Sequence, residues 1–126
     1  MKTSSAKAKG RRAAQEVKDL LLEYAQEELK DGDIVVTSSG ETGPDLKLSP
    51  SACDIYPIRI ECKNQEALNI WSSLKQAESH IENYGDAENA IFPILAFKRN
   101  NSRLYGALPF RDLVFLLRKA GLGTNV

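Results

Sequence analysis

The 126-residue chain is poor in the side chains that most often carry chemistry, with one histidine, His80, and two cysteines, Cys53 and Cys62. A single imidazole has no second histidine with which to share a metal. The two cysteines match neither a disulfide framework nor a zinc-ligand spacing. No Gly-rich phosphate loop, nucleophile elbow or Cys/His pair is present, which removes the usual signatures of a small-molecule hydrolase. Long apolar runs are missing too. None approaches the length of a bilayer span, and the N-terminus lacks the apolar middle of a signal peptide. A reduced, cytoplasmic setting is the expectation. Net charge is also absent: 17 basic residues balance 17 acidic ones. No global basic bias argues for nucleic acid.

What is there is ordinary in bulk and uneven in detail. A hydrophobic fraction of 42% and a charged fraction of 27% suit one globular domain. That domain is expected over residues 10–126, behind a flexible basic arm at 1–9. Lys2, Lys7, Lys9, Arg11 and Arg12 precede any acid, whereas Glu23, Glu27, Glu28, Asp31 and Asp33 cluster later. Such an arm contacts phosphates or frays in solvent, and charge alone does not separate the two.

Apolar residues at three- and four-residue spacing (Ala13, Val17, Leu20, Leu21, Tyr24 and Leu29) predict a first helix from Gly10 to Lys30. Glu16 borders this stripe, and its plain reading is a surface acid paired with Arg12 one turn earlier. Ile34–Thr37 reads as a strand, Ser38–Gly43 as a loop and Asp45–Leu48 as a second strand, broken at Ser49-Pro50-Ser51. In the third strand, 55–63, Ile58, Ile60 and Cys62 alternate with Arg59, Glu61 and Lys63. Cys62 is then a small core residue with no redox role. A second helix over Leu68–Tyr84 carries Ile70, Trp71, Leu74, Ala77, Ile81 and Tyr84 on its apolar stripe. Asn69, Ser73, Gln76 and His80 run along a polar flank, and Trp71 is expected to be packed. Ile91–Phe97 is a covered strand that Pro93 pushes toward an edge or bulge. Arg103–Leu108 completes a hairpin with it. Pro109 opens a last helix with Phe110, Leu113, Val114 and Leu117 on one face, which Gly121 ends.

Asp45, Glu61 and Lys63 are the residues with chemical promise. Hard divalent cations take oxygen ligands, and Mg²⁺ commonly uses one or two protein carboxylates. Neighbouring strands can bring Asp45 and Glu61 to one ion. Lys63 falls on the face of Glu61 about 7 Å along, where a cation serves a water or a charged phosphate. The competing reading is a same-face ion pair of the kind that Glu-X-Lys commonly makes.

The run Gly43-Pro44-Asp45 … Glu61-Cys62-Lys63 resembles the PD-(D/E)XK nuclease motif. Glu16 on the first helix and Gln76 on the helix after the lysine match two further positions of that family, over roughly residues 8–108. In size and layout the chain is similar to archaeal-type and phage Holliday-junction resolvases, although those are usually more basic.

The resemblance implies an α/β fold with a restriction-endonuclease-like core, a mixed five-stranded sheet flanked by helices in the order α-β-β-β-α-β-β-α. It implies a Mg²⁺- or Mn²⁺-dependent endodeoxyribonuclease in recombination or repair, in the cytoplasm of a prokaryotic or phage-infected cell. Asp45, Glu61, the Cys62 carbonyl and Glu16 would hold the metal. Lys63 would serve the attacking water and Gln76 would help position the site. Lys7, Lys9, Arg11, Arg12 and either Ser38 or Ser39 would contact DNA. Four-way or other branched DNA is the implied substrate and a homodimer the implied assembly, with Lys98, Arg99 and Arg103 adding to a basic surface. A general repair endonuclease and a non-catalytic nucleic-acid-binding module remain the alternatives.

Overall fold

The computed structural model describes residues 4–37, 45–84 and 91–123. Ser38, Ser39, Gly43 and Pro44 lie outside the described residues, as do the side chains of residues 80–84. The first helix, α1, spans Ser4–Glu23. It therefore begins inside the segment expected to be an arm, and Lys7, Lys9, Arg11 and Arg12 are helical. Asn64 Nδ2 donates to the Lys9 carbonyl at 3.3 Å, which ties this end to the sheet. The helix also stops earlier than its stripe suggested. A turn follows, with Ala25 and Leu29 buried and Tyr24 turned to solvent. Ala25 N donates to Leu22 O and Leu29 N to Ala25 O. Ending the helix at Glu23 shifts the phase, so the core takes Ala25 in place of Tyr24.

Two short strands follow, β1 (Ile34–Val36) and β2 (Leu46–Leu48), paired antiparallel with Ile34 opposite Leu48 and Val36 opposite Leu46. Ile34 and Leu46 are buried while Val35 and Lys47 face solvent, the alternation a half-covered sheet requires. The break read at Ser49-Pro50 is the start of a short helix, α2 (Pro50–Ile55). Ser49 Oγ accepts from Ala52 N at 3.1 Å, with proline in the first turn. A serine cap followed by proline was a helix-start signal that the turn reading passed over.

The main sheet has the order β3-β4-β5, with β3 at Ile58–Asn64, β4 at Phe92–Lys98 and β5 at Tyr105–Ala107. β3 and β4 run parallel, joined through helix α3 (Ile70–Tyr84), and β5 returns antiparallel on β4. β4 is thus central despite Pro93. Phe92 N donates to Pro57 O, so the ladder alternation turns the Pro93 nitrogen away from β3. On that other side β5 pairs only with Leu95–Phe97. No ladder bond is lost there.

The expectation of one five-stranded sheet is corrected to a two-stranded and a three-stranded sheet. The reason lies at Asp45. Its N–H donates to Ile60 O at 3.2 Å, continuing toward β3 for one bond. The next donor on that edge, Cys62 N, goes to the Asp45 carboxylate instead of a backbone carbonyl. A side chain occupies the place of the next ladder acceptor, and the two sheets stay separate.

Helix α1 covers the Ile60, Cys62 and Ala96 side of the sheet in one core with Ala14, Val17, Ile34 and Leu46. The Leu95 and Phe97 side is left for α3, which packs on β4 and β3. Small residues let α3 approach closely: among its described side chains Ser73 and Ala77 are the buried ones, and Ser73 Oγ satisfies itself on the Asn69 carbonyl. Centring the contact there rotates Trp71 outward to 80% exposure, contrary to its expected packing. The last helix, α4 (Phe110–Ala120), ends as expected at Gly121, whose φ of 62° is the left-handed cap that glycine favours. Its apolar stripe is not buried. Phe110, Leu113, Val114 and Leu117 are all exposed, while Phe115 on another side stacks against Phe92 with centroids 5.6 Å apart. Among the described residues no helix is long and apolar enough to cross a membrane.

Candidate active site

The site is built on the edge of β3 that β4 does not use. In β3 the odd-numbered residues turn their backbone groups toward β4, as the Phe92 N to Pro57 O bond requires. The even ones, Ile60 and Cys62, turn theirs to the open edge. Asp45 reaches this edge from the start of β2. Its N–H binds Ile60 O, and its Oδ2 accepts from Cys62 N at 2.6 Å, a short charge-assisted bond. Thr37 fixes the same residue from behind, donating both N–H and Oγ1–H to the Asp45 carbonyl at 3.0 Å. The backbone of Asp45 is therefore held on both sides, and one carboxylate oxygen is committed to Cys62.

Glu61 and Lys63 flank Cys62 on the opposite, α3-facing side of the strand. Glu61 is 4% exposed, an acid that the fold takes out of water, and Lys63 is half-buried. The Cys62 thiol is buried beside these charges. Burial pushes its pKa up, the Asp45 and Glu61 charges push it further, and Lys63 opposes them. The thiol is buried, which suits the packing role read for it.

Of the expected site residues, Asp45 is thus tied to Cys62 by a hydrogen bond, with Glu61 and Lys63 next to Cys62 along β3. Two others do not join them. Glu16 sits on α1, across the sheet from Glu61, where its Oε1 meets Lys98 Nζ at 3.4 Å. Lys98, on the strand, takes the place expected for Arg12. Gln76 is exposed on α3, where its main-chain carbonyl accepts from Ser79 Oγ. Lys7, Arg11 and Arg12 are exposed on α1 and Lys9 is half-buried. Ser38 and Ser39 lie outside the described residues.

The donors present suit a hard cation. Two carboxylates and the Cys62 carbonyl, which the ladder alternation turns to the Asp45 side, are all oxygen ligands of the kind Mg²⁺ takes. Among the described residues no group of three His, Cys, Asp or Glu side chains converges. Any ion held here would take two carboxylates at most and fill its shell with carbonyl and water.

Sequence reasoning missed Thr37 and Asn64, and it read Lys98 as part of a basic surface where the fold pairs it with Glu16. The first is legible only as the end of a β-branched run. The other two depend on the β3–β4 register, which pairs Asn64 with Lys98 and has no local signature. No family model, curated protein or solved structure matches the chain.

Proposed function

We propose that the chain is a metal-dependent endodeoxyribonuclease whose centre is Asp45, Glu61, the Cys62 carbonyl and Lys63. The observation that carries the reading is the Asp45–Cys62 bond. It sets a carboxylate from one sheet beside the Glu-Cys-Lys run of another, an arrangement that a surface Glu-X-Lys ion pair does not need. A divalent cation bound there would polarise the scissile phosphodiester and favour ionisation of its water. Asp45 and Glu61 would hold it. Lys63 would orient the attacking water or balance charge gathering on the phosphate.

Branched DNA is the substrate we favour, with a general nuclease of the same chemistry second. Two-strand cutting of a junction calls for two centres, and the exposed stripe of α4 is where we place a second copy. Phe110, Leu113, Val114 and Leu117 read the same in both directions by spacing. An antiparallel copy sets Phe110 against Leu117 and Leu113 against Val114. A standard interface covers about 800 Å² per partner, more than one helix stripe supplies, so a weak dimer is expected.

The deciding experiment compares cleavage of a four-way junction, a flap, a linear duplex and a single strand, each with Mg²⁺ and with EDTA. Paired symmetric nicks in the junction support resolution, and indiscriminate nicking supports the general nuclease. Activity that survives EDTA, or no cleavage of any substrate, sinks the proposal.

A further inference from the structure

A second feature lies on the same face as Glu61 and Lys63. Side chains at 61 and 63 follow one another along β3 at about 7 Å per step, and Gln65 comes directly after the strand's end. Past Lys63 the surface opens into a cleft of about 310 Å³ between the end of β3, the start of α3 and the β4–β5 hairpin. That volume is near the lower bound of about 300 Å³ for small-molecule sites, which suits a single ring system.

The cleft has an aromatic floor. Phe97, the register partner of Lys63, lies with its ring centroid 6.0 Å from that of Tyr105, the planes 30° apart. Tyr105 remains 52% exposed. Leu68 and Ile70 supply an apolar wall, and Gln65 and Arg99 bring polar groups to the rim. The rim is pre-ordered. Arg99 N donates to Ser102 Oγ at 3.0 Å, and Asn100 N donates to Glu66 Oε1 at 3.1 Å. That second bond gives the Glu66 oxygen a partner within the turn, and Arg99 stays exposed.

We propose that this cleft receives an unpaired nucleobase of the bound DNA, stacked on Tyr105, within one nucleotide's reach of Lys63. The inference rests on the nuclease reading and narrows it to substrates that carry an unstacked base at the cutting point, as branch points and single-stranded flanks do. An aromatic floor with a cationic rim fits a base followed by its phosphate. A duplex keeps its bases stacked and leaves the cleft unused.

The test uses the full chain in EDTA, so that binding is read without cleavage, and a flap oligonucleotide with 2-aminopurine in the unpaired strand. Wild type should quench the fluorophore. Tyr105→Ala should abolish the quench and weaken flap binding about tenfold, with duplex binding unchanged. Tyr105→Phe should behave as wild type, and Glu61→Gln should quench normally. Quenching and affinity of Tyr105→Ala equal to wild type would overturn the proposal, as would equal loss of duplex binding. Quenching by a wild type that cleaves nothing in Mg²⁺ leaves the cleft standing and removes the nuclease reading.

Discussion

Asp45→Ala separates the structural task of this residue from its chemical one. The substitution removes the acceptor of the Cys62 N–H, and Cys62 is only 7% exposed, so water reaches that amide poorly. A hydrogen bond to a charged acceptor contributes about 1.5–3 kcal/mol, and an orphaned buried donor costs about 1–3 kcal/mol. These are two views of one loss and do not add. Asp45 is itself half-buried, which favours the lower half of the range, about 2 kcal/mol. The Thr37 bonds go to the main-chain carbonyl and survive. Asp45→Asn keeps an oxygen acceptor and should cost about 1 kcal/mol or less. For a domain of this size roughly 4 °C accompanies each kcal/mol, so the alanine variant should melt about 8 °C below wild type. Helical circular dichroism is the right signal, because exposed Trp71 will report unfolding weakly. Both variants should lose Mg²⁺-dependent cleavage. An alanine variant as stable as wild type, or an asparagine variant equally damaged, would refute the bridging role. A cleaving asparagine variant would refute the chemical one.

Other expectations follow from single groups. Glu61→Gln should lower cleavage at least a hundredfold while DNA affinity, read by gel shift in EDTA, holds; intact cleavage removes Glu61 from the centre. Asp33 accepts from Lys30 N and from Ser49 Oγ, in that order of effect, and both hold its carboxyl below its ordinary 3.8. The stability it contributes is therefore complete above pH 3.8 and fades as pH falls through the lower folded value. The denaturation midpoints of wild type and Asp33→Asn should differ at pH 7 and converge in acid. Lys98→Met breaks the pair with the 42%-exposed Glu16 side chain and should cost under about 1 kcal/mol in denaturant unfolding. Leu117→Glu should hold the chain monomeric in concentration-dependent light scattering where wild type self-associates; a wild type monomeric at high concentration removes the α4 interface.

Much of the layout was legible because it depends on spacing between near neighbours. Alternation along 58–63 placed Glu61 and Lys63 on one face and Cys62 on the other, and both sides of that division hold in the fold. Pro109 and Gly121 bracketed the last helix correctly. Local readings failed where a distant surface decides the outcome. Trp71 fits an apolar stripe as well as Ile70 does, but α3 settles on Ser73 and Ala77, and the large ring is left outside. The α4 stripe has the spacing of a buried face and finds nothing to cover it among the described residues. Pro93 suggested an edge strand, since nothing nearby says that β5 ends before reaching it.

The centre divides along the same line. Glu61, Cys62 and Lys63 stand in consecutive positions, and the faces they take follow from period two alone. The partners do not. That Asp45 ends the ladder by binding Cys62 N, and that Glu16 turns to Lys98 and away from Glu61, depends on how two sheets and a helix dock. Those contacts join positions 17 and 82 residues apart. Such pairs are set by the sum of packing over the whole chain, and no short window of sequence contains that sum.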